Sequence, residues 1–124
     1  MDEEKVAAIK NFPIDDSNLP FLLTVDTCAY GIGGYIAQIV DKIEWPIAYF
    51  SRVLRDAEKR YSTYEKETLA IKYGIISQRK YIYGTKCFIF TDHRPLVSFK
   101  KADKNSRVQR WRMELAEYDF EIFY

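Results

Sequence analysis

With 124 residues, 48% of them hydrophobic and 16% aromatic, the chain holds enough apolar material for one folded core and too little length for two, which excludes a disordered tail. Lys and Arg number 19 against 18 Asp and Glu, a net charge of +1, so bulk charge advertises no polyanionic partner. The apolar runs break at charged or small residues short of a bilayer's thickness, and two cysteines without a CxxC exclude a disulfide framework or a zinc site; the expectation is a soluble intracellular protein, cytoplasmic or nuclear, with free thiols and no membrane partner.

Residues 1–20 carry five acids against Lys5 and Lys10 and include Pro13 and Pro20; they read as a short helix around Glu4–Lys10 followed by a turn-rich linker. Phe21–Thr27 is apolar enough for a strand covered on both faces, Ile32–Val40 is a second beyond a glycine-containing turn, and Trp45–Phe50 a third in an antiparallel meander. Ser62 and Glu65 fit a capping box at the start of a helix from Thr63 to Gln78. On that helix Glu67, Ala70, Ile71, Gly74 and Ile75 share one face, and the small Ala70 and Gly74 let it approach a sheet closely. Lys86–Thr91 is a fourth strand, Pro95–Lys100 a short helix, Ser106–Tyr118 a helix with Val108, Trp111, Leu115 and Tyr118 on one face, and Phe120–Tyr124 a last strand. The order predicts an α/β fold with a mixed sheet.

Three acids interrupt this apolar pattern: Asp26 at the end of the first strand, Glu67 on the core stripe of the long helix, and Asp92 at the end of the fourth strand. A carboxylate among apolar side chains loses hydration and needs a partner, and no Lys or Arg immediately accompanies Asp26. If the three converge, a shared divalent cation keeps them ionised, and hard oxygen ligands favour Mg2+ or Mn2+.

Five blocks in order over residues 21–124 carry a resemblance: Leu23-Thr-Val-Asp26-Thr-Cys-Ala-Tyr-Gly31-Ile-Gly33-Gly34-Tyr-Ile-Ala-Gln38, Ile47-Ala-Tyr-Phe-Ser51-Arg52, Tyr61-Ser-Thr-Tyr-Glu-Lys-Glu67-Thr-Leu-Ala-Ile71, Thr91-Asp92-His93-Arg94-Pro95-Leu96 and Arg110-Trp111-Arg-Met-Glu-Leu115. Together they resemble the RNase H domain of gypsy-type LTR retrotransposon polyproteins. The resemblance implies an RNase H-like fold, a five-stranded mixed sheet flanked by helices, and endonucleolytic cleavage of the RNA strand of RNA–DNA hybrids. It places the catalytic metal ligands on Asp26, Glu67 and Asp92, with two Mg2+ or Mn2+ ions about 4 Å apart. The hybrid is the implied partner, with a polymerase or other retroelement protein beside it.

The chain departs from the family pattern in two places. A fourth acid from a helix after the last strand is absent before Tyr124, so residues 21–124 read as a domain lacking its C-terminal helix, with weakened hydrolysis as the expectation. Thr27 and Cys28 replace the small Ala and Ser usual after the first Asp. Residues 2–14 resemble a segment near the end of the polymerase portion, so residues 1–20 read as a polymerase remnant and linker. The alternative function is a catalytically inactive RNase H-like binding or scaffold module derived from a retroelement. A DDE transposase core is disfavoured because its Glu comes last, and here it stands second.

Weaker nucleic-acid contacts are expected at Gly31 and Gly33, whose backbone lets an RNA strand approach, although a hairpin turn explains both without a ligand. Arg79 and Lys80, beside Tyr81 and Tyr83, and the basic run containing Lys100, Lys101 and Lys104 complete the candidate footprint. His93, the only histidine, is expected to serve a structural hydrogen bond at the strand end, and Tyr61, Tyr64, Tyr73 and Trp111 to serve the core.

Overall fold

The computed structural model describes residues 19–91 and 105–123. Three strands, β1 (Phe21–Thr27), β2 (Gly31–Val40) and β3 (Ile43–Val53), form an antiparallel meander. The chain then passes through α1 (Asp56–Lys59), α2 (Thr63–Ser77) and α3 (Arg79–Ile82) and returns as β4 (Cys87–Phe90), parallel to β1. Helix α4 (Ser106–Glu114) leads to β5 (Phe120–Phe123), parallel to β4, giving a five-stranded mixed sheet in the order β3-β2-β1-β4-β5.

Alternation along β1 sends Leu23 and Val25 toward a cluster containing Ala70, Ile71 and Ile75 of α2, Ile89 of β4 and Val108, Trp111 and Leu115 at α4. Leu22 leaves on the other face, against Phe88 and the half-buried Ile39, Phe90 and Phe123. Helix α2 starts where its sequence says it must: the Ser62 hydroxyl accepts from the Glu65 amide at 3.1 Å, and the Glu65 carboxylate accepts from the Ser62 amide at 3.0 Å. Asn105 caps α4 in the same manner, its side-chain oxygen accepting from the amides of Arg107 and Val108.

Differences from the predicted elements have local causes. Helix α4 stops at Glu114 and not at Tyr118; tight turns carry the Leu115 amide to the Trp111 and Arg112 carbonyls and the Tyr118 amide to the Leu115 carbonyl. Those turns keep Leu115 and Tyr118 buried, which preserves the helical spacing after the helix has ended. The four-residue α1 and α3 are too short to produce a periodic pattern. Strand β3 extends three residues past the predicted end, to Val53.

The glycines also differ. The β1–β2 connection is Cys28–Tyr30, and Gly31 and Gly33 lie within β2, so the hairpin-turn explanation of both is wrong. The residue that packing requires to be glycine is Gly34: a Cβ there would overlap the Thr24 carbonyl oxygen and lie 2.6 Å from Cζ of Phe50. At the edge of the sheet, β3 is made a poor template for further strands by Pro46, which has no amide hydrogen, and by a bulge where pairing jumps from Ile36–Ala48 to Ala37–Pro46. Cys28 is exposed, Cys87 is buried, and both are free thiols. No described helix is long and apolar enough to cross a membrane.

Candidate active site

The C-terminal end of β1 meets the first turns of α2, and one residue ties them together. The Thr27 amide donates to Oδ1 of Asp26 at 2.9 Å, while the Thr27 hydroxyl donates to Oε1 of Glu67 at 2.6 Å. A hydroxyl-to-carboxylate bond of that length is charge-assisted and among the stronger side-chain hydrogen bonds. Strand alternation sends the Thr27 side chain toward α2, where Glu67 occupies the sheet-facing stripe shared with Ala70 and Gly74. Asp26 leaves β1 on the other face and turns its carboxylate back to the Thr27 amide at the strand end.

Burial separates the two acids. Glu67 is half-buried, as its place on the stripe requires, whereas Asp26 is exposed. The sequence argument from lost hydration therefore does not apply to Asp26: the strand stops one residue later, so water reaches the carboxylate. Asp92 and His93 lie outside the described residues. Strand β4, whose sequence continues through Thr91 into Asp92, runs parallel to β1 with Phe90 opposite Thr24. Among the described residues no three His, Cys, Asp or Glu side chains group closely enough to hold a metal ion. The donors that are placed, carboxylate oxygens supported by a hydroxyl and an amide, are the hard type that suits Mg2+ or Mn2+.

A cleft of about 620 Å³ opens over the ends of β1, β2 and β3, with Asp26, Gly31, Gly33, Ser51 and Arg52 on its walls. Gly33 stands beside Asp26 in the register and Ser51 beside Gly33, so the missing side chain at Gly33 keeps the wall next to the carboxylate low. An added Cβ at Gly31 would meet the Arg52 carbonyl oxygen at 3.4 Å and the Cys28 sulfur at 3.8 Å, and one at Gly33 only the Phe50 carbonyl oxygen at 3.6 Å, so internal packing tolerates a small side chain at either position.

Arg79 and Lys80 lie in α3, past the far end of α2, whose last residue, Ser77, is ten residues and about 15 Å along the helix from Glu67. Arg79 is engaged within the fold: it pairs with Glu117 at 3.0 Å, donates to the Tyr118 hydroxyl and lies 4.2 Å over the Tyr83 ring. Lys80 is exposed beside the Tyr81 ring. Lys100, Lys101 and Lys104 lie outside the described residues. Tyr61, Tyr64 and Tyr73 pack against the main core, and Trp111 is part of it.

Two charged clusters near the site were invisible to periodicity. Arg52 grips Glu58 with bonds of 2.7 and 2.8 Å, and Glu58 also accepts from the Arg55 amide at 2.8 Å. The Arg52 guanidinium, aided by that amide, holds the Glu58 carboxyl far below its usual range, at about 2, against the opposing effect of burial. Glu65, beyond its cap bond to the Ser62 amide, accepts from Arg107 at 2.6 Å and from Asn105 at 3.3 Å, joining α2 to the start of α4; these bonds, the Ser62 amide foremost, lower its pKa. Both acids lie next to short or capped segments, where neither helical nor strand spacing marks a buried charge.

The family profile described as an RNase H-like domain found in reverse transcriptase matches residues 16–118. The chain belongs to this family. It is 37% identical over 107 residues to the retrovirus-related Pol polyprotein from transposon opus of Drosophila melanogaster, covering 85% of this chain and 11% of the polyprotein. To that from transposon gypsy of the same fly it is 37% identical over 112 residues, covering 88% of this chain and 10% of the polyprotein. The domain thus spans about a tenth of the curated relatives it matches. Among solved structures, the foamy viral protease-reverse transcriptase in complex with dsDNA is similar, with a TM-score of 0.67, 20% identity and coverage of 98% of this chain and 27% of that one. The same viral protein in complex with RNA/DNA hybrid gives a TM-score of 0.63 at 19% identity, over 98% of this chain and 18% of that one. These likenesses make the architecture an RNase H-like fold.

Proposed function

We propose that this RNase H-like domain hydrolyses the RNA strand of RNA–DNA hybrids, with Asp26, Glu67 and Asp92 as the carboxylates that hold Mg2+ or Mn2+. The observation that carries this reading is Thr27 donating to Asp26 and Glu67 at once, which brings two acids distant in sequence to one strand end beside an open cleft. Strand β4 supports the third, since the chain enters Asp92 from the strand that flanks β1. Among the solved relatives, the viral protein that holds an RNA/DNA hybrid supports the substrate class.

Two divalent cations, when bound, supply the charge that activates water and stabilises the departing 3′ oxygen. The chain's own contribution is positional. Thr27 fixes the rotamer of Glu67, Asp26 presents a solvated carboxylate at the cleft wall, and the low wall at Gly31 and Gly33 leaves room for a sugar–phosphate strand with its 2′-hydroxyls. No protein nucleophile is needed. In this reading the domain works beside the polymerase portion of a Pol polyprotein.

The test incubates the purified chain with end-labelled RNA–DNA hybrid in Mg2+ and then Mn2+, next to Asp26→Asn and Glu67→Gln. Metal-dependent cleavage of the RNA strand that both substitutions abolish is the expected result. Equal background in all three proteins, with hybrid still bound, would leave the inactive binding module.

A further inference from the structure

A second groove, of about 490 Å³, lies on the helical side of the molecule, bounded by β3, α1, α2 and α4. Four cations line it, Arg52, Arg55, Lys72 and Arg110, and Glu58 is the one acid among its lining residues. Arg52 and Glu58 neutralise each other, and Lys72 pairs with Glu114 at 2.8 Å. Arg55 and Arg110 are exposed and make no ion pair among the described residues. Two exposed guanidiniums that close no ion pair among the described residues, Arg55 at the start of α1 and Arg110 on α4, therefore face one depression, in a chain whose acids and bases are otherwise nearly balanced.

The floor is aromatic, with Tyr61, Tyr73 and the buried Trp111 among its lining. These rings are spoken for: Tyr61 packs on Trp111 with Arg107 above it, and Tyr73 packs on Phe50 with Arg52 above it. The groove thus offers positive rims over a packed base, a shape for backbone phosphates and not for inserted bases. Arg52 lines this groove and also the cleft that holds Asp26, so the two depressions adjoin across the edge of the sheet. A long polyanion lying in the cleft has a path around β3 into the groove; an isolated small anion would gain nothing from that continuity.

From this arrangement we infer that the groove between α1 and α4 is a phosphate-backbone site, in which Arg55 and Arg110 hold nucleic acid beyond the segment bound at the cleft. The inference rests on the proposed nuclease reading and extends its footprint to the helical side.

The experiment uses Asp26→Asn, which removes cleavage, and measures fluorescence anisotropy of a labelled RNA–DNA hybrid across a KCl series without divalent metal. The same protein carrying Arg55→Ala and Arg110→Ala is compared with it, and Lys42→Asn, at the β2–β3 turn, serves as a charge control. Two lost phosphate contacts should reduce the slope of log affinity against log salt by about 1.8, with the control unchanged. A slope identical in parent and double variant, or an equal fall in the control, overturns the groove while leaving the cleft reading intact. Failure of the parent to bind hybrid at all overturns both. A poly-glutamate probe that binds the parent and is released by the double substitution, with hybrid slopes equal, would assign the groove to an acidic peptide and also overturn the inference.

Discussion

Replacing Glu58 by Gln removes a charge without changing shape, and the structure sets the size of the effect. The Arg52 and Glu58 side chains retain 23% and 10% of their exposure, so solvent screens the pair only weakly. The Glu58 carboxyl falls from 4.5 to about 2 on folding. At about 1.4 kcal/mol per unit, this corresponds to about 3 kcal/mol of stability at pH 7, a large share of the roughly 5–15 kcal/mol typical of a domain. Because the folded value is the lower one, the contribution is complete above the unfolded pKa and drains as pH falls through the folded one. It is about 1.4 kcal/mol at pH 3 and below about 0.5 kcal/mol at pH 2. Urea unfolding followed by fluorescence of the buried Trp111 should show Glu58→Gln less stable than the parent by about 3 kcal/mol at pH 7, the gap narrowing by more than half at pH 3. Glu65 and the other carboxylates titrate in both proteins, so the difference between them isolates Glu58. Parallel stability curves, with the same gap at both pH values, would refute the assignment of that charge to the Arg52 pair.

Two other substitutions probe the site and the sheet. Thr27→Val keeps volume and removes the hydroxyl that orients Glu67; the Mg2+ concentration for half-maximal hybrid cleavage should rise about 10-fold or more, with Thr27→Ser close to the parent. An unmoved Mg2+ curve in Thr27→Val would separate that hydrogen bond from the chemistry. Gly34→Ala drives a methyl into the Thr24 carbonyl and Phe50 and should cost about 2–3 kcal/mol, lowering Tm by on the order of 10 °C, whereas Gly33→Ala stays within about 1 kcal/mol. Equal melting temperatures for the two alanine variants would contradict the close approach of β1, β2 and β3 described above.

The parts of the fold legible in the sequence are those in which one local rule acts alone. Short apolar runs bounded by a turn placed β1 and β2 to within a residue, and reciprocal capping by Ser62 and Glu65 set the start of α2. The acids stood out because each interrupts an apolar run. Illegible were contacts made across elements by residues that look ordinary in their own segment. Arg52 stands at the end of β3 and Glu58 within the four-residue α1, and their mutual burial depends on the corner between them, which no periodic pattern describes. Gly31 and Gly33 misled for the opposite reason: glycine near a strand start resembles a turn, although here the turn is made by Cys28, Ala29 and Tyr30.

Why Glu67 reaches Thr27 follows from where the helix is pinned. Gly74 is the point of closest approach, since a Cβ there would lie 3.0 Å from Phe50 and 3.2 Å from Leu23. Glu67 sits seven residues earlier on the same stripe, about 10.5 Å along the helix; Thr27 sits four residues past Leu23, about 13 Å along the strand. The two lengths differ by only about 2.5 Å, less than the reach of a glutamate side chain. With Gly74 over Leu23, a helix running against β1 delivers Glu67 to the strand's end, where the 2.6 Å bond is found. The absence of a side chain at Gly74, two turns away from any chemistry, thereby sets the spacing between the two carboxylate-bearing elements. The position of the helix is fixed in the core, and the placement of the acid is its consequence.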